Sequence, residues 1–198
     1  MTTSTDKIIQ TILKTKKCFS EHSVYSDNPG LYAFILTDKS NLKQFGKGGQ
    51  IIYVGKAEDS LKKRDFKTHF NDKRSGNSTL RRSIGAIFKT KFNSTAFTRN
   101  GTLDKIAIDN YKFDIESESK LTSWMKQNLE IGYWEFDSLK ENEILYDIEE
   151  KIIIKLRPTL DLDKRTKKYN IFANKLSALR QICKNEARHN AMENRATR

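Results

Sequence analysis

Two short β-type runs, LYAFIL (31–36) and IIYVG (51–55), flank a polar connection, TDKSNLKQFGKGGQ, and this pairing constrains the fold more than any other feature. Pro29-Gly30 punctuates a turn before the first run, and Gly46, Gly48 and Gly49 loosen the connection. Strands joined in this way read as an antiparallel hairpin with a long loop. The second strand stops at Gly55, and Asp59 or Ser60 can cap a helix beginning at Leu61. A further helix starts near Ser78 or Thr79, because Leu80, Ile84, Ile87 and Phe88 keep helical spacing. Downstream, KIAIDNYKFDI alternates like a strand pair, SKLTSWMKQNL reads as a short helix and EIGYWEF as a strand. A longer helix is predicted from about Leu139 to Leu156, with Pro158 ending it.

The ends of the chain are helical in pattern. Ile8, Ile9, Ile12 and Leu13 form an amphipathic stripe near the start; Phe172, Leu176, Leu179 and Cys183 form another in the basic tail. The first residues lack the apolar core and small-residue cleavage site of a signal peptide, and no apolar run approaches the ~20 residues of a membrane span. Cys18 and Cys183 are far apart and form no CxxC, which argues against a zinc ribbon and suits a reducing cytoplasm. Thirty-seven Lys and Arg against twenty-five Asp and Glu leave a net charge of +12, a field that favours polyanions, nucleic acid or an anionic membrane surface, and a nucleic-acid partner is favoured over a chain merely Lys-rich for solubility.

One carboxylate is out of place. In LKENEILYDIEEKIIIKLRP, at about 100° per residue, Leu145, Ile148, Ile152 and Leu156 form one stripe, and Glu149 falls inside it. A carboxylate on an apolar face costs several kcal/mol unless it is paired or bound to a cation. A neighbouring Lys or Arg would account for Glu149, and so would a metal ion.

Gly30-Leu31-Tyr32 on the first strand, Tyr53-Val54-Gly55 on the second, Arg64 on the following helix, and Glu149 nine residues before Pro158 form an ordered set. Over roughly residues 29 to 161 this set resembles the GIY-YIG nuclease superfamily. The resemblance implies an α/β (α+β) fold: a small three-stranded antiparallel sheet flanked by helices, here with N- and C-terminal helical extensions. On that reading residues 1–26 are a helical extension, 27–162 the nuclease domain with an insertion at about 93–135, and 163–198 a basic helical tail.

The implied activity is metal-dependent hydrolysis of DNA phosphodiesters, on double-stranded substrate, with a catalytically weak nucleic-acid-binding module as the alternative. Glu149 corresponds to the family's metal ligand, and a single carboxylate with several retained waters suits Mg²⁺, or Mn²⁺ in its place. Arg64 would grip a phosphate oxygen in a geometry Lys cannot copy. Tyr32 and Tyr53 would share water activation and phosphate contact, with Tyr32 the better candidate base if Lys56, Arg64 or the metal lowers its pKa.

Many members carry His about one helical turn after the Arg. His69 follows Arg64 by five residues, about 140° around a regular helix, so it serves the site only if the helix is irregular; otherwise it caps the helix end as a cation. Many members also carry Asn shortly after the Pro, where this chain has Asp161, an acceptor that cannot donate as an amide does. Lys63, Lys67, Arg81, Arg82 and Lys89 are the expected contacts to the nucleic-acid backbone.

Overall fold

The computed structural model describes residues 3–22 and 25–196, without the Phe66 and Ala196 side chains. The outermost positions of the two expected extensions, 1–2 and 197–198, and residues 23–24 within the first lie outside the described residues. The elements, in order, begin with α1 (Thr5–Thr15), β1 (Lys17–Cys18), β2 (Gly30–Leu36), β3 (Ile51–Ala57) and α2 (Leu61–Arg64). Next come α3 (Thr79–Ile87), α4 (Lys89–Phe92), β4 (Ala96–Phe97), α5 (Lys105–Asp109) and β5 (Lys112–Phe113). The chain closes with α6 (Ile115–Asn128), β6 (Leu129–Glu135), α7 (Leu145–Leu156) and α8 (Ala173–Ala196). No helix among the described residues is long and apolar enough to cross a membrane.

Local chemistry sets the boundaries. Ser60 and Ser78 cap α2 and α3 by accepting the backbone N–H groups of Lys63 and Arg81. A π segment, Asp65–His69, continues the chain beyond α2. Helix α7 begins at Leu145, six residues later than its pattern suggests. Upstream, the Asp137 carboxylate accepts the N–H of Leu139 and holds that stretch in turns. Arg157 ends α7 in the left-handed region at φ 49°, immediately before Pro158. The expected strand pair in KIAIDNYKFDI is instead helix α5, capped by the Asp104 carboxylate, followed by the two-residue β5.

The chain divides into two compact units, Met1–Lys67 with Lys126–Ala173, and Thr68–Met125 with Asn174–Arg198. The first holds an antiparallel sheet in the order β1-β6-β2-β3, three seven-residue strands with the short β1 added at one edge. Strand β6 is central, although it falls inside the span expected as an insertion. It pairs with β2 all along its length because Gly132 leaves α1 room: a Cβ there would lie 2.0 Å from the Ile12 carbonyl oxygen.

Residues directly opposite in register share a face. Tyr32 opposes Gly55 and Tyr133, and Phe34 opposes Tyr53, so these aromatic side chains occupy one face. Leu31, Ala33, Val54 and Trp134 occupy the other, where Ile8, Ile9 and Ile12 of α1 and Leu145, Ile148 and Ile152 of α7 bury them. That apolar layer fixes α7, and with it Glu149, against the sheet.

The second unit holds α3, α4, α5, most of α6, the β4–β5 pair and α8 from Asn174 onward. Glu186 of α8 accepts from Lys89 and from the Ala96 backbone, and Asn190 donates to the Ala96 carbonyl. Lys184 pairs with Asp109 of α5 at 2.7 Å.

Candidate active site

Strand β3 carries candidate side chains to both faces. On the aromatic face Tyr32 is fully buried, and its hydroxyl accepts from Arg64 Nε at 3.3 Å. Its ring stacks with that of Tyr53 at 6.3 Å between centroids. Gly55 is required here: a Cβ would lie 2.5 Å from the Tyr32 hydroxyl oxygen. Beside Arg64, the buried Asp65 carboxylate accepts a short hydrogen bond from Tyr25, and burial pushes its pKa well up.

Burial likewise pushes the Tyr32 phenol well above its ordinary value; Tyr53 adds to this, and Arg64 opposes it. Tyr32 is thus buried in surroundings that favour its neutral form. Tyr53 keeps 8% of its surface exposed.

On the other side of the strand, Val54 and Lys56 alternate with Tyr53 and Gly55. Here Lys56 and Glu149 act on each other. Glu149 is 8% exposed, and burial raises its pKa while Arg165, then Lys56, pull it back down. Arg165 donates to Glu149 Oε2 at 3.2 Å, to Glu150 at 3.2 Å and to Asp163 at 3.0 Å. Its guanidinium also lies 3.5 Å from the Tyr146 ring centroid, and Lys56 Nζ stands 5.4 Å from the same ring while pairing with Glu58. Although burial works against it, the Arg165 charge is strongly favoured by Asp163 and Glu149.

Asp161 is buried, and its Oδ2 accepts the Val54 N–H at 3.1 Å while Leu160 N donates to the Ile52 carbonyl. The segment after Pro158 is thereby clamped to β3. Burial pushes the Asp161 carboxyl well up.

The expected residues thus fall into two groups that share β3: Tyr32, Tyr53 and Arg64, and then Lys56 with Glu149. His69 lies in the second unit, fully buried, with Nδ1 2.7 Å from Ser78 Oγ, so it is neither an exposed cap nor an open ligand. Arg81 and Arg82, expected on the surface, are 0% and 6% exposed. Arg81 Nη2 pairs with Glu118 at 2.5 Å, and Arg82 Nη1 donates to the carbonyls of Ser75 and Gly76. Both arginines are buried and held by partners inside the unit, which removes them from the expected surface contacts to nucleic acid. Lys89 is likewise engaged by Glu186 and Ser94, whereas Lys63 and Lys67 are exposed. Arg165 was not foreseen from the sequence beyond the general alternative that a cation neighbours Glu149.

Among the described residues, no three His, Cys, Asp or Glu side chains gather as a ready-made metal cluster. Glu149 nevertheless fits a one-carboxylate site: Oε1 takes no hydrogen bond among the described residues, and only Oε2 is bonded to Arg165. A hard oxygen donor of this kind suits Mg²⁺ with its remaining positions filled by water.

A family model described as the GIY-YIG catalytic domain matches residues 26–182. No curated protein and no solved structure matches the chain.

Proposed function

Given that the chain belongs to the GIY-YIG nuclease superfamily, we propose that it is a metal-dependent endonuclease hydrolysing phosphodiester bonds of double-stranded DNA. A nuclease-type function with a nucleic-acid substrate follows from the family; DNA, Mg²⁺ and the residue roles are our own reading. One observation supports them most: a buried carboxylate, Glu149, with one oxygen uncommitted and Lys56 acting on it.

In this reading Glu149 Oε1 would hold a cation, Mg²⁺ or Mn²⁺, which would supply charge neutralisation to the phosphodiester. Burial favours the neutral form of Glu149, and Arg165 and Lys56 oppose it. Arg64 grips a non-bridging phosphate oxygen, and the Tyr32 hydroxyl positions it through the 3.3 Å hydrogen bond. Tyr53, the more exposed phenol, orients water or donates to phosphate. The nuclease domain spans about 27–162 and is interrupted by part of the second unit, with helical extensions at 1–26 and 163–198. Two free cysteines fit a reducing cytoplasm.

Supercoiled plasmid incubated with Mg²⁺ tests the proposal. The expected result is nicking or linearisation that Glu149→Gln abolishes. The second reading, a module that binds without cutting, is favoured by Arg165, which already neutralises Glu149, and by Asp161 in place of Asn. Binding without cleavage across several metals and substrates would establish that second reading and end the first.

A further inference from the structure

The second unit contains a concavity of about 430 Å³ lined by Lys73, Arg74, Arg99 and Lys112 with Asn71, Gly76 and Asn77, and no carboxylate among the described residues lines it. We propose that this cleft binds the phosphodiester backbone of the nucleic-acid substrate, independently of the Glu149 site. The inference rests on the part of the proposed function that makes nucleic acid the partner of the chain, not on cleavage.

Three segments bring the cations together. Lys73 and Arg74 belong to the turn that leads into the short helical stretch Ser75–Asn77, Arg99 follows β4, and Lys112 begins β5. Gly76 lets the Arg99 stem lie against that stretch, since a Cβ there would come 3.0 Å from Arg99 Cγ. The buried arginines hold the same stretch from behind: Arg81 Nε donates to Ser75 Oγ, and Arg82 to the carbonyls of Ser75 and Gly76. Their role is to stiffen the cleft wall, not to touch phosphate.

What distinguishes the cleft is four basic side chains in one lining; elsewhere in the unit some cations are paired, while Lys91, Arg180, Arg188 and Arg195 form no ion pair among the described residues. Arg81, Lys89, Lys105, Lys120 and Lys184 each have a carboxylate partner. The side chains of Lys73, Arg74, Arg99 and Lys112 form no ion pair among the described residues, and all four are exposed. Lys73 and Lys112 also border a larger neighbouring cavity, where Asp72, Asp114 and Glu116 are present; the basic cleft has no such acids. Four like charges around one hollow repel one another. A polyanion relieves that repulsion, and each phosphate that is neutralised releases counterions.

The test is binding of a fluorescent DNA duplex by the full chain, with a chelator present so that nothing is cut. The combined variant Lys73→Gln, Arg74→Gln, Arg99→Gln, Lys112→Gln is expected to bind on the order of 100-fold more weakly near 100 mM salt. Its log-log salt slope should be flatter by up to about 3.6, roughly 0.9 for each phosphate no longer neutralised. A control carries the same change of charge elsewhere: Lys39→Gln, Lys105→Gln, Lys120→Gln, Lys140→Gln. A cleft variant that binds no more weakly than the control overturns the proposal, as does a wild-type chain that does not bind the duplex. If the fourfold variant does not fold, the triple variant that retains Arg99 is measured against the same criterion. Wild-type chain that binds with the expected slope but never cuts refutes the catalytic reading and leaves the cleft standing.

Discussion

Glu118 and Glu149 are both buried carboxylates on helices, one in each unit, and they are used in opposite ways. Both oxygens of Glu118 are bonded: Oε2 takes Arg81 at 2.5 Å and Ser75 at 2.6 Å, and Oε1 takes the Phe113 N–H at 3.1 Å. Arg81 in turn spends its remaining donors on Ser75, Thr122 and the His69 carbonyl. Glu149 has one longer bond, to Arg165, and keeps an oxygen in reserve. Burial alone therefore does not mark a site. A buried carboxylate with both oxygens hydrogen-bonded is structural, and one with a whole oxygen uncommitted is chemically available.

The largest expected effect tests the Glu118 side. Arg81→Leu leaves the Glu118 carboxylate buried without its cation, and removing one partner of such a pair costs about 3–5 kcal/mol. Chemical denaturation should show that loss. A loss under about 1 kcal/mol would mean that water reaches Glu118 and that the contrast with Glu149 is false.

Next is Glu149→Gln. The amide preserves shape but cannot bind a divalent cation as a carboxylate does, so cleavage should fall at least 100-fold, about 2.7 kcal/mol in barrier. Stability should stay within about 1 kcal/mol of wild type, because the lost ion pair reaches a partly exposed arginine. Plasmid nicking and thermal unfolding measured on one preparation read both halves. A variant that cuts normally but unfolds easily would move Glu149 into the same class as Glu118.

The sequence exposed these features unequally. The hairpin was legible because β-type runs, glycines and Pro29 are local signals, and the register then placed Tyr32 opposite Gly55. Glu149 was legible by its angle on α7. The same angular test applied to α6 would have found Glu118, since it shares a buried face with Leu121, Thr122 and Met125. Arg165 was not legible: it meets Glu149 across a loop, and a contact between segments leaves no periodic trace. Arg81 and Arg82 were misplaced because a charged pair on a helix reads as solvated, and only the tertiary partners Glu118 and Ser75 reveal that it is buried.

Arg165→Gln sharpens the comparison through pH. Glu149 must be ionised to hold a cation, and burial already raises its pKa against the pull of Arg165 and Lys56. Without Arg165 that pKa rises further, so the acid limb of the cleavage profile should move to higher pH. Stability should change by about 1 kcal/mol or less. An acid limb that does not move would show that Glu149 owes nothing to Arg165.

Asp161→Asn probes the carboxyl between these extremes, bonded once and fully buried. Burial raises its folded pKa well above the ordinary value, despite the Val54 N–H that favours the charged form. The folded chain therefore holds this proton more tightly than the unfolded chain. The stabilisation is complete below the unfolded pKa of about 3.9 and is lost as pH rises through the raised folded value. Asparagine keeps an acceptor for the Val54 N–H and has no proton to lose. The variant should match wild type near pH 3, flatten the fall in stability above it, and exceed wild type at pH 7 by about 1 kcal/mol. Denaturation midpoints across that range measure the difference. Parallel curves would mean that Asp161 is ionised in the fold, with Lys56 or Arg165 reaching it as they reach Glu149.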